Sequence, residues 1–320
     1  MWSRDQIYLK FKDIQQKGAT KLKFVVTGGA GFVGSHLAKY LLSQKHSVTI
    51  VDNLGNGKIE NLNNVKNEID FHQIDILNFD KLKDILKHAD GVFHEAALIS
   101  LQASYEKPEE YHKVNVEGTE NIFKLALEFG FKVIFASSSS VYGDIETIPI
   151  TEDFKKNPSS PYAETKVQDE ILASKYIQLS VPIIGLRYFN IFGKGQSSSY
   201  AGVITKFMQR IAEKKPPIIF GDGLQVRDFV YVKDVAKANL NAMESKVNEG
   251  FFNVGSGKAT SILDLANIFI KASRLKLELK FEKPPKGDVK MSLADLTLIK
   301  KTLNWQPETK LEDWIKKVIS

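Results

Sequence analysis

The segment from Lys21 to Asn53, KLKFVVTGGAGFVGSHLAKYLLSQKHSVTIVDN, leaves few folds open to this chain. Leu22 to Val26 is apolar and β-branched and reads as a strand buried on both faces. Thr27-Gly28-Gly29-Ala30-Gly31-Phe32-Val33-Gly34 follows without a break. An amphipathic run then places Phe32, Leu37, Leu41 and Leu42 near one helical face. Ser47 to Val51 makes a second strand, and it ends in Asp52.

Each part of this unit has a physical task. The first glycines allow a tight turn where a Cβ would clash. Gly31 admits a pyrophosphate close to the backbone, and Gly34 lets the helix sit close on its strand. The free N–H groups of the helix, beginning at Phe32 and Val33, then face the anion. Asp52 follows Gly31 at the spacing of about twenty residues expected of a ribose-binding carboxylate. A carboxylate there binds the ribose hydroxyls of NAD and repels the 2′-phosphate of NADP. Strand, glycines, helix, strand and acid in this order imply a dinucleotide site, where a lone glycine turn would not.

The same rhythm continues. Ile69–Ile74 reads as a strand running into Asp75 and Ile76. Gly91–His94 is another, and the small residues Ala96 and Ala97 after it leave room for a flat dinucleotide. His94 reads as a locally bonded strand-end histidine. Pro108–Phe129 reads as one long helix stopped by Gly130. Asn115 lies inside it among apolar neighbours, and a buried asparagine needs partners. Lys132–Ala136 is a strand that runs into Ser137-Ser138-Ser139-Ser140-Val141-Tyr142-Gly143, placing serines where ligands bind in such sheets. Ser160 and Pro161 are a natural cap and first residue for a helix reaching about Leu179. Strands at Pro182–Leu186, Ile218–Phe220 and Phe251–Val254 alternate with helices up to Ile319. Gly193–Tyr200 reads as a mobile loop, and Val226–Tyr231 as a stretch leading back to the first domain. The fold class is α/β: a doubly wound parallel sheet with a smaller interleaved C-terminal lobe. Residues 1–20 form an N-terminal helical extension. Residues 21–186 form the dinucleotide domain, to which 229–254 return. Residues 187–228 and 255–320 form the second lobe.

Tyr162 and Lys166 stand four apart, on one face of their helix. A phenol is a poor base at neutral pH, and a neighbouring ammonium and an oxidised nicotinamide both favour its charged form. A phenolate so placed can take a proton from an alcohol while hydride leaves the same carbon. Ser138 can bridge the substrate oxygen and the tyrosine. Y-x-x-x-K is common by chance, and it gains meaning behind a dinucleotide motif and a serine loop.

From Lys21 onward the chain resembles the extended short-chain dehydrogenase/reductases, and among them the sugar-nucleotide epimerases. The shared segments are TGGAGFVG, VDNLGNG, HEAA, SSSSVYG, YAETK, LRYFNIFG, GDG-x-x-x-RDFVYV and KGDVKMSLAD. The resemblance implies that Asp52 and Asn53 hold the adenosine ribose, Asp75 and Ile76 the adenine, and Lys166 the nicotinamide ribose. Asn115 and Tyr162 belong to the implied cofactor site. Ser138, Ser139, Tyr162, Asn190, Val203, Phe220, Arg227, Asp288 and Ser292 are the implied contacts to a UDP-sugar. Related dehydratases and decarboxylases carry acids in the serine loop. Ser139 and Ser140 stand there instead, which leaves oxidation at C4 and return of the hydride: 4-epimerisation. Pro285 stands where relatives often have a phosphate-binding arginine, with Lys283 and Lys286 beside it. Ile99 stands where some relatives have a lysine. In such epimerases the position three before Asp295 lies beside the sugar's C2 substituent. A tyrosine there excludes an N-acetyl group, and here it is Ser292. UDP-GlcNAc/UDP-GalNAc and UDP-Glc/UDP-Gal are therefore the expected substrate pairs, with a UDP-glucuronate 4-epimerase as the rival enzyme. A non-catalytic NAD-binding sensor is the alternative from another class.

Composition narrows the remainder. No apolar run approaches the about eighteen residues of a membrane span, and residues 1–20 lack the pattern of a secretory signal. The chain has no cysteine, so disulfides and cysteinyl metal sites are excluded, no metal is expected, and a cytoplasmic home is the default. The net charge of +6 raises nucleic acid as a partner. The lysines, however, are interleaved with acids, as on solvated helix faces, and a basic protein also suits a doubly anionic substrate. Where lysine so predominates, an arginine, one of Arg4, Arg187, Arg210, Arg227 and Arg274, marks a place that needs a planar fork. A homodimer through the helices at Pro108–Phe129 and Tyr162–Leu179 is implied by the resemblance.

Overall fold

The computed structural model describes residues 21–196, 202–283 and 290–319. The helix expected within residues 1–20, part of the serine-rich loop at 197–201, and Pro285, Lys286 and Asp288 lie outside them. The chain opens with β1 (Lys23–Thr27), α1 (Phe32–Ser43), β2 (Ser47–Val51), β3 (Ile69–His72), α2 (Phe79–Leu86) and β4 (Gly91–His94). After α3 (Leu101–Glu106) comes a helical stretch from Pro108 to Phe129. It consists of α4 (Pro108–Tyr111), a π-helical turn (His112–Glu117) and α5 (Gly118–Phe129). Next come β5 (Lys132–Ser138), a 3₁₀ turn (Ser139–Tyr142), α6 (Pro161–Gln178) and β6 (Ile183–Tyr188).

The rest of the chain comprises β7 (Asn190–Phe192), α7 (Val203–Ala212), β8 (Ile218–Phe220), β9 (Val226–Tyr231), α8 (Val232–Glu244) and β10 (Glu249–Val254). It ends with β11 (Ala259–Ser261), α9 (Ile262–Ser273), β12 (Lys280–Glu282), α10 (Thr297–Leu303) and α11 (Leu311–Ile319). Seven strands form one sheet in the order β10-β6-β5-β4-β1-β2-β3, and every pairing in it is parallel. This is a doubly wound Rossmann arrangement. The chain leaves β1 toward β2 and β3, then crosses to β4 on the other side. The loops after β1 and β4 therefore diverge and open a crevice at the carboxyl ends of the strands.

Alternate residues of the central strands feed two separate cores. Phe24 and Val26 of β1 and Phe93 of β4 pack with α1 and α8 on one face. Val25, Val92, Val133 and Phe135 pack with Ile122 and Phe123 of α5 and Ala173 of α6 on the other. A strand covered on both faces must be apolar at successive positions, which is why these strands lack an alternating pattern. A third core, including Phe192, Phe207, Phe229, Phe269 and Trp314, lies between β7, β9, α7, α9 and α11. No described helix is long and apolar enough to cross a membrane.

The return to the large sheet begins later than the sequence suggests. Phe229, Val230 and Tyr231 pair with Asn190, Ile191 and Phe192, so β9 belongs to a three-stranded sheet with β7 and β11. Helix α8 and β10 make the return, and β10 pairs with β6 as far as Tyr188.

Two buried cations fasten this frame. The Lys132 amine at the start of β5 donates to the carbonyls of Ala242 at 2.7 Å, Ser245 at 3.1 Å and Val247 at 2.6 Å, which closes the end of α8 onto the sheet. Burial pushes its pKa down to about 7, while the surrounding carbonyl oxygens favour the charged form. Arg187 of β6 supplies the planar fork. Its Nε and one terminal nitrogen each donate to Glu170 of α6 at 2.8 Å, and the other terminal nitrogen donates to the Tyr142 hydroxyl. Glu170 also accepts from Ser137 Oγ at 2.7 Å. The helix carrying Tyr162 is thereby locked to the strand carrying the serines.

Candidate active site

A cavity of about 930 Å³ runs across the carboxyl ends of the central strands. The glycine loop forms its floor. Gly28 adopts φ +67° and donates its N–H to Val51. A Cβ on Gly34 would overlap the Gly28 carbonyl oxygen and lie 2.7 Å from Gly29 Cα. Helix α1 starts at Gly31 with no side-chain cap and no acid in its first turn, so its leading N–H groups are left for a ligand. Gly28, Gly31, Phe32, Val33 and Gly34 all line the cavity. A cradle that any Cβ would fill, lying beneath uncapped N–H groups, fits a dinucleotide pyrophosphate.

At one end stand Asp52, Asn53, Asp75 and Ile76. Asp52 accepts from the backbone N–H groups of Ala30 at 2.9 Å and Leu54 at 2.8 Å, which fixes the carboxylate at the strand end. Burial pushes its pKa up, against the pull of those two N–H groups. Asn53 donates to Asp75 at 2.8 Å, tying two loop ends into one wall. Ala96 and Ala97 line the middle.

At the other end the cavity meets Ser138, Tyr162 and Lys166. Ser138 closes β5, and its oxygen accepts from the N–H of Ser140 at 3.1 Å, which leaves its proton free to be donated. Tyr162 and Lys166 lie one turn apart near the start of α6, which is capped by Ser160. The Lys166 ammonium meets Asp169 at 3.0 Å, with both groups almost fully buried. Burial works against this ammonium, but Asp169, Tyr162 and Glu95 together outweigh it and hold its pKa above the usual value. Burial pushes Asp169 up to about 6, opposed by Lys166.

His94 takes no part in the cavity. It bridges Thr27 at 2.7 Å and Thr119 at 2.9 Å. The Thr119 hydroxyl is donated to the Asn115 carbonyl, so Thr119 must accept from His94 Nε2–H, and Nδ1 accepts from Thr27. Burial pushes the ring down to about 3, so it is neutral.

Several expected contacts fall elsewhere. Asn115 is fully buried and absent from the cavity wall. Its side chain is occupied by Leu98 N–H at 2.8 Å, Leu98 carbonyl at 3.0 Å and Thr165 Oγ1 at 3.0 Å. It braces the loop after β4 against α6. Ser139 lies in the 3₁₀ turn, outside the wall. Asn190, Val203, Phe220, Arg227 and Ser292 do not line this cavity either. Arg227 lies in β9, Asn190 and Ser292 lie beside it, Phe220 ends β8 and Val203 begins α7. Asn190 Nδ2 donates to the Asp228 carbonyl at 3.2 Å, and Ser292 N–H donates to the Val226 carbonyl at 3.1 Å. Ser292 is buried and does not face solvent. The end of β6 and the segment after it reach the cavity through Tyr188, Phe189, Ile191, Gly195 and Gln196 instead.

The structure also adds a residue that sequence reasoning passed over. Glu95, in HEAA, lines the reactive end and accepts from the Tyr188 hydroxyl at 2.9 Å. The available signal was an acid set among small residues directly after a buried strand.

The profile of the NAD dependent epimerase/dehydratase family matches residues 24–255. A Methanocaldococcus jannaschii protein named as a candidate UDP-glucose 4-epimerase is 39% identical, over 92% of this chain and 97% of its own. Among solved structures, the UDP-N-acetylglucosamine 4-epimerase of Methanobrevibacter ruminantium M1, in complex with UDP-N-acetylmuramic acid, has a TM-score of 0.89. It is 38% identical, with 94% of this chain and 97% of that one covered. The UDP-glucuronic acid 4-epimerase of Bacillus cereus, in complex with UDP-glucuronic acid and NAD, has a TM-score of 0.85. It is 31% identical, with 93% of this chain and 100% of that one covered.

Proposed function

The chain belongs to the NAD-dependent epimerase/dehydratase family, and from that premise we propose that it is an NAD-dependent UDP-hexose 4-epimerase acting through a transient 4-keto sugar. One observation carries this reading: Ser138, Tyr162 and Lys166 face the same cavity as the Gly28–Gly34 cradle. Bound NAD supplies the hydride acceptor and donor. The Gly28–Gly34 loop and the first turn of α1 would hold its pyrophosphate, and Asp52 its ribose. Asp52 also disfavours a 2′-phosphate.

Tyr162 takes the proton of the C4 hydroxyl as the C4–H bond breaks, and gives it back when that bond re-forms on the opposite face. Ser138 donates to the substrate oxygen and holds it beside the tyrosine. Lys166 keeps a positive charge next to the phenol. Inversion at a single carbon requires that the sugar present both faces in turn. No acid stands at Ser139 or Ser140 to divert the 4-keto sugar into elimination. Residues 187–228 and 255–320, less the strand ends that join the large sheet, are the proposed UDP-sugar lobe. Asn190, Val203, Phe220 and Arg227 are its proposed contacts.

The test is incubation with UDP-glucose, UDP-galactose, UDP-GlcNAc, UDP-GalNAc and UDP-glucuronate. Interconversion within the first two pairs supports the reading, and turnover of the glucuronate alone would replace it. Ser292 is the proposed gate beside C2, where a serine is smaller than the excluding tyrosine by a phenol ring. Ser292→Tyr is expected to abolish UDP-GlcNAc/UDP-GalNAc exchange by overpacking and to leave UDP-Glc/UDP-Gal exchange largely intact. A wild type that ignores both N-acetylated sugars would overturn the gate.

The proposed assembly is a homodimer through the Pro108–Phe129 helices and α6. Leu101, Tyr105 and Ile171 lie 50%, 59% and 61% exposed on α3 and α6, an apolar surface a second copy would cover. Light scattering is expected to give twice the chain mass, and a strictly monomeric mass would refute the assembly.

A further inference from the structure

Among the described residues, the acids that line the cavity are Asp52, Asp75, Glu95 and Glu110. Asp52 and Asp75 are fixed at the adenosine end, and Glu110 is paired with Lys107 at 3.1 Å. Glu95 stands at the reactive end, and proton transfer at C4 gives it no task. It is nevertheless a built feature. Its Oε1 accepts from the Tyr188 hydroxyl at 2.9 Å, that hydroxyl accepts from Asn239 Nδ2 at 2.8 Å, and Asn239 is tied back to Val235 at 3.0 Å. Three elements, β4, β6 and α8, thus hold one carboxylate against the cavity.

The neighbouring charges show what it lacks. Lys166 and Asp169 of α6 form a pair of no net charge at 3.0 Å, although the Lys166 end of it also attracts Glu95. His94, one residue back, turns to Thr27 and Thr119 and is neutral. Tyr162 of α6 and Tyr188 of β6 are phenols, and Asn239 of α8 and Ser138 of β5 carry no charge. An ionised Glu95 therefore leaves this cluster with an excess negative charge, facing a cavity whose reactive groups require a nicotinamide beside them. The oxidised ring carries one positive charge and the reduced ring none.

We propose that Glu95 is the counter-charge of the oxidised nicotinamide ring, a positioning residue that makes the protein hold NAD⁺ more tightly than NADH. The inference rests on the epimerase reading of the site and deepens it. A 4-epimerase must give its hydride back each turnover, and an anion beside the ring favours the oxidised cofactor and so the return. Burial pushes Glu95 up to about 7, opposed by the Tyr188 hydrogen bond and by Lys166, so its charge changes near neutrality. The sign follows. Above this pKa the carboxylate is ionised and attracts the oxidised ring. As pH falls through it, the attraction is lost. Preference for NAD⁺ over NADH therefore rises with pH across neutrality, and binding of NAD⁺ below pH 7 releases a proton.

The test is calorimetric titration of cofactor-stripped protein with NAD⁺ and with NADH between pH 6 and 8.5, in two buffers of different ionisation enthalpy. Wild type is expected to show an NADH-to-NAD⁺ ratio of dissociation constants that climbs with pH, with proton release on NAD⁺ binding at the acid end. Glu95→Gln keeps an acceptor for Tyr188 but no charge. It is expected to lower that ratio about tenfold or more at pH 8, as for one unit charge facing another in a partly dry cleft, and to make it independent of pH. Its holoenzyme should also show more absorbance of reduced nicotinamide once sugar nucleotide is added. Tyr188→Phe retains the carboxylate and removes a hydrogen bond to it, so the midpoint of the pH dependence is expected to move upward. Equal loss of both affinities in Glu95→Gln, or a pH-flat ratio in wild type, overturns the proposal. Failure of the epimerase reading looks different: Glu95 would still discriminate the two cofactor forms, but no sugar nucleotide would be turned over.

Discussion

Tyr162→Phe is expected to bind NAD and UDP-sugar with near-normal affinity and to lose turnover by on the order of a hundredfold or more. That loss corresponds to about 2.7 kcal/mol or more of transition-state stabilisation. The substitution removes a single oxygen and leaves the ring to fill its place in the wall of the cavity. The Ser160 cap, the Lys166–Asp169 pair and the Arg187–Glu170 fork make no use of the phenol oxygen, so the helix stays in position. Steady-state kinetics with calorimetry of both ligands checks this. A rate within a fewfold of wild type would mean that another group moves the C4 proton.

Gly34→Ala is expected to be nearly as damaging by an opposite route. The added methyl would overlap the Gly28 carbonyl and crowd Gly29 Cα at 2.7 Å. Both are backbone atoms, which a rotamer change cannot relieve. The loop must move away from the helix, at a cost of about 1–3 kcal/mol in stability. The cradle then no longer presents Gly28, Gly31 and the α1 N–H groups together. NAD affinity is expected to fall by about a hundredfold, the scale on which displaced charge-assisted hydrogen bonds are lost. Thermal unfolding with and without NAD measures both effects. An unchanged shift on adding NAD would show that the close approach is not needed.

The two substitutions differ in what the sequence could say about them. The glycine spacing and the Y-x-x-x-K pair are local, so the turn and the shared helix face follow from residues within a few positions of one another. Strands Ser47–Val51, Gly91–His94 and Ile218–Phe220 were readable for the same reason, and their observed bounds coincide with the expected ones. Asn115 was legible as a buried amide in need of partners. Which partners it takes, Leu98 and Thr165, depends on how the loop after β4 lies against α6. The small strands β7, β11 and β12 are no shorter than Ile218–Phe220, but none of them is apolar throughout, so no continuous apolar run marks them.

The sequence by itself determined the parallel sheet, the dinucleotide cradle, the acid at the end of β2 and the tyrosine–lysine pair. These rest on periodicity, capping and fixed short spacings, which act through neighbours in the chain. The tertiary structure alone decided that Glu95 meets Tyr188 across 93 residues and Asn239 meets Tyr188 across 51. It alone placed the Lys132 amine on carbonyls more than a hundred residues away. Such pairs form because β4, β5 and β6 lie side by side in the sheet with α8 packed over them. Strand order is a property of the whole folded chain, and no local pattern encodes it.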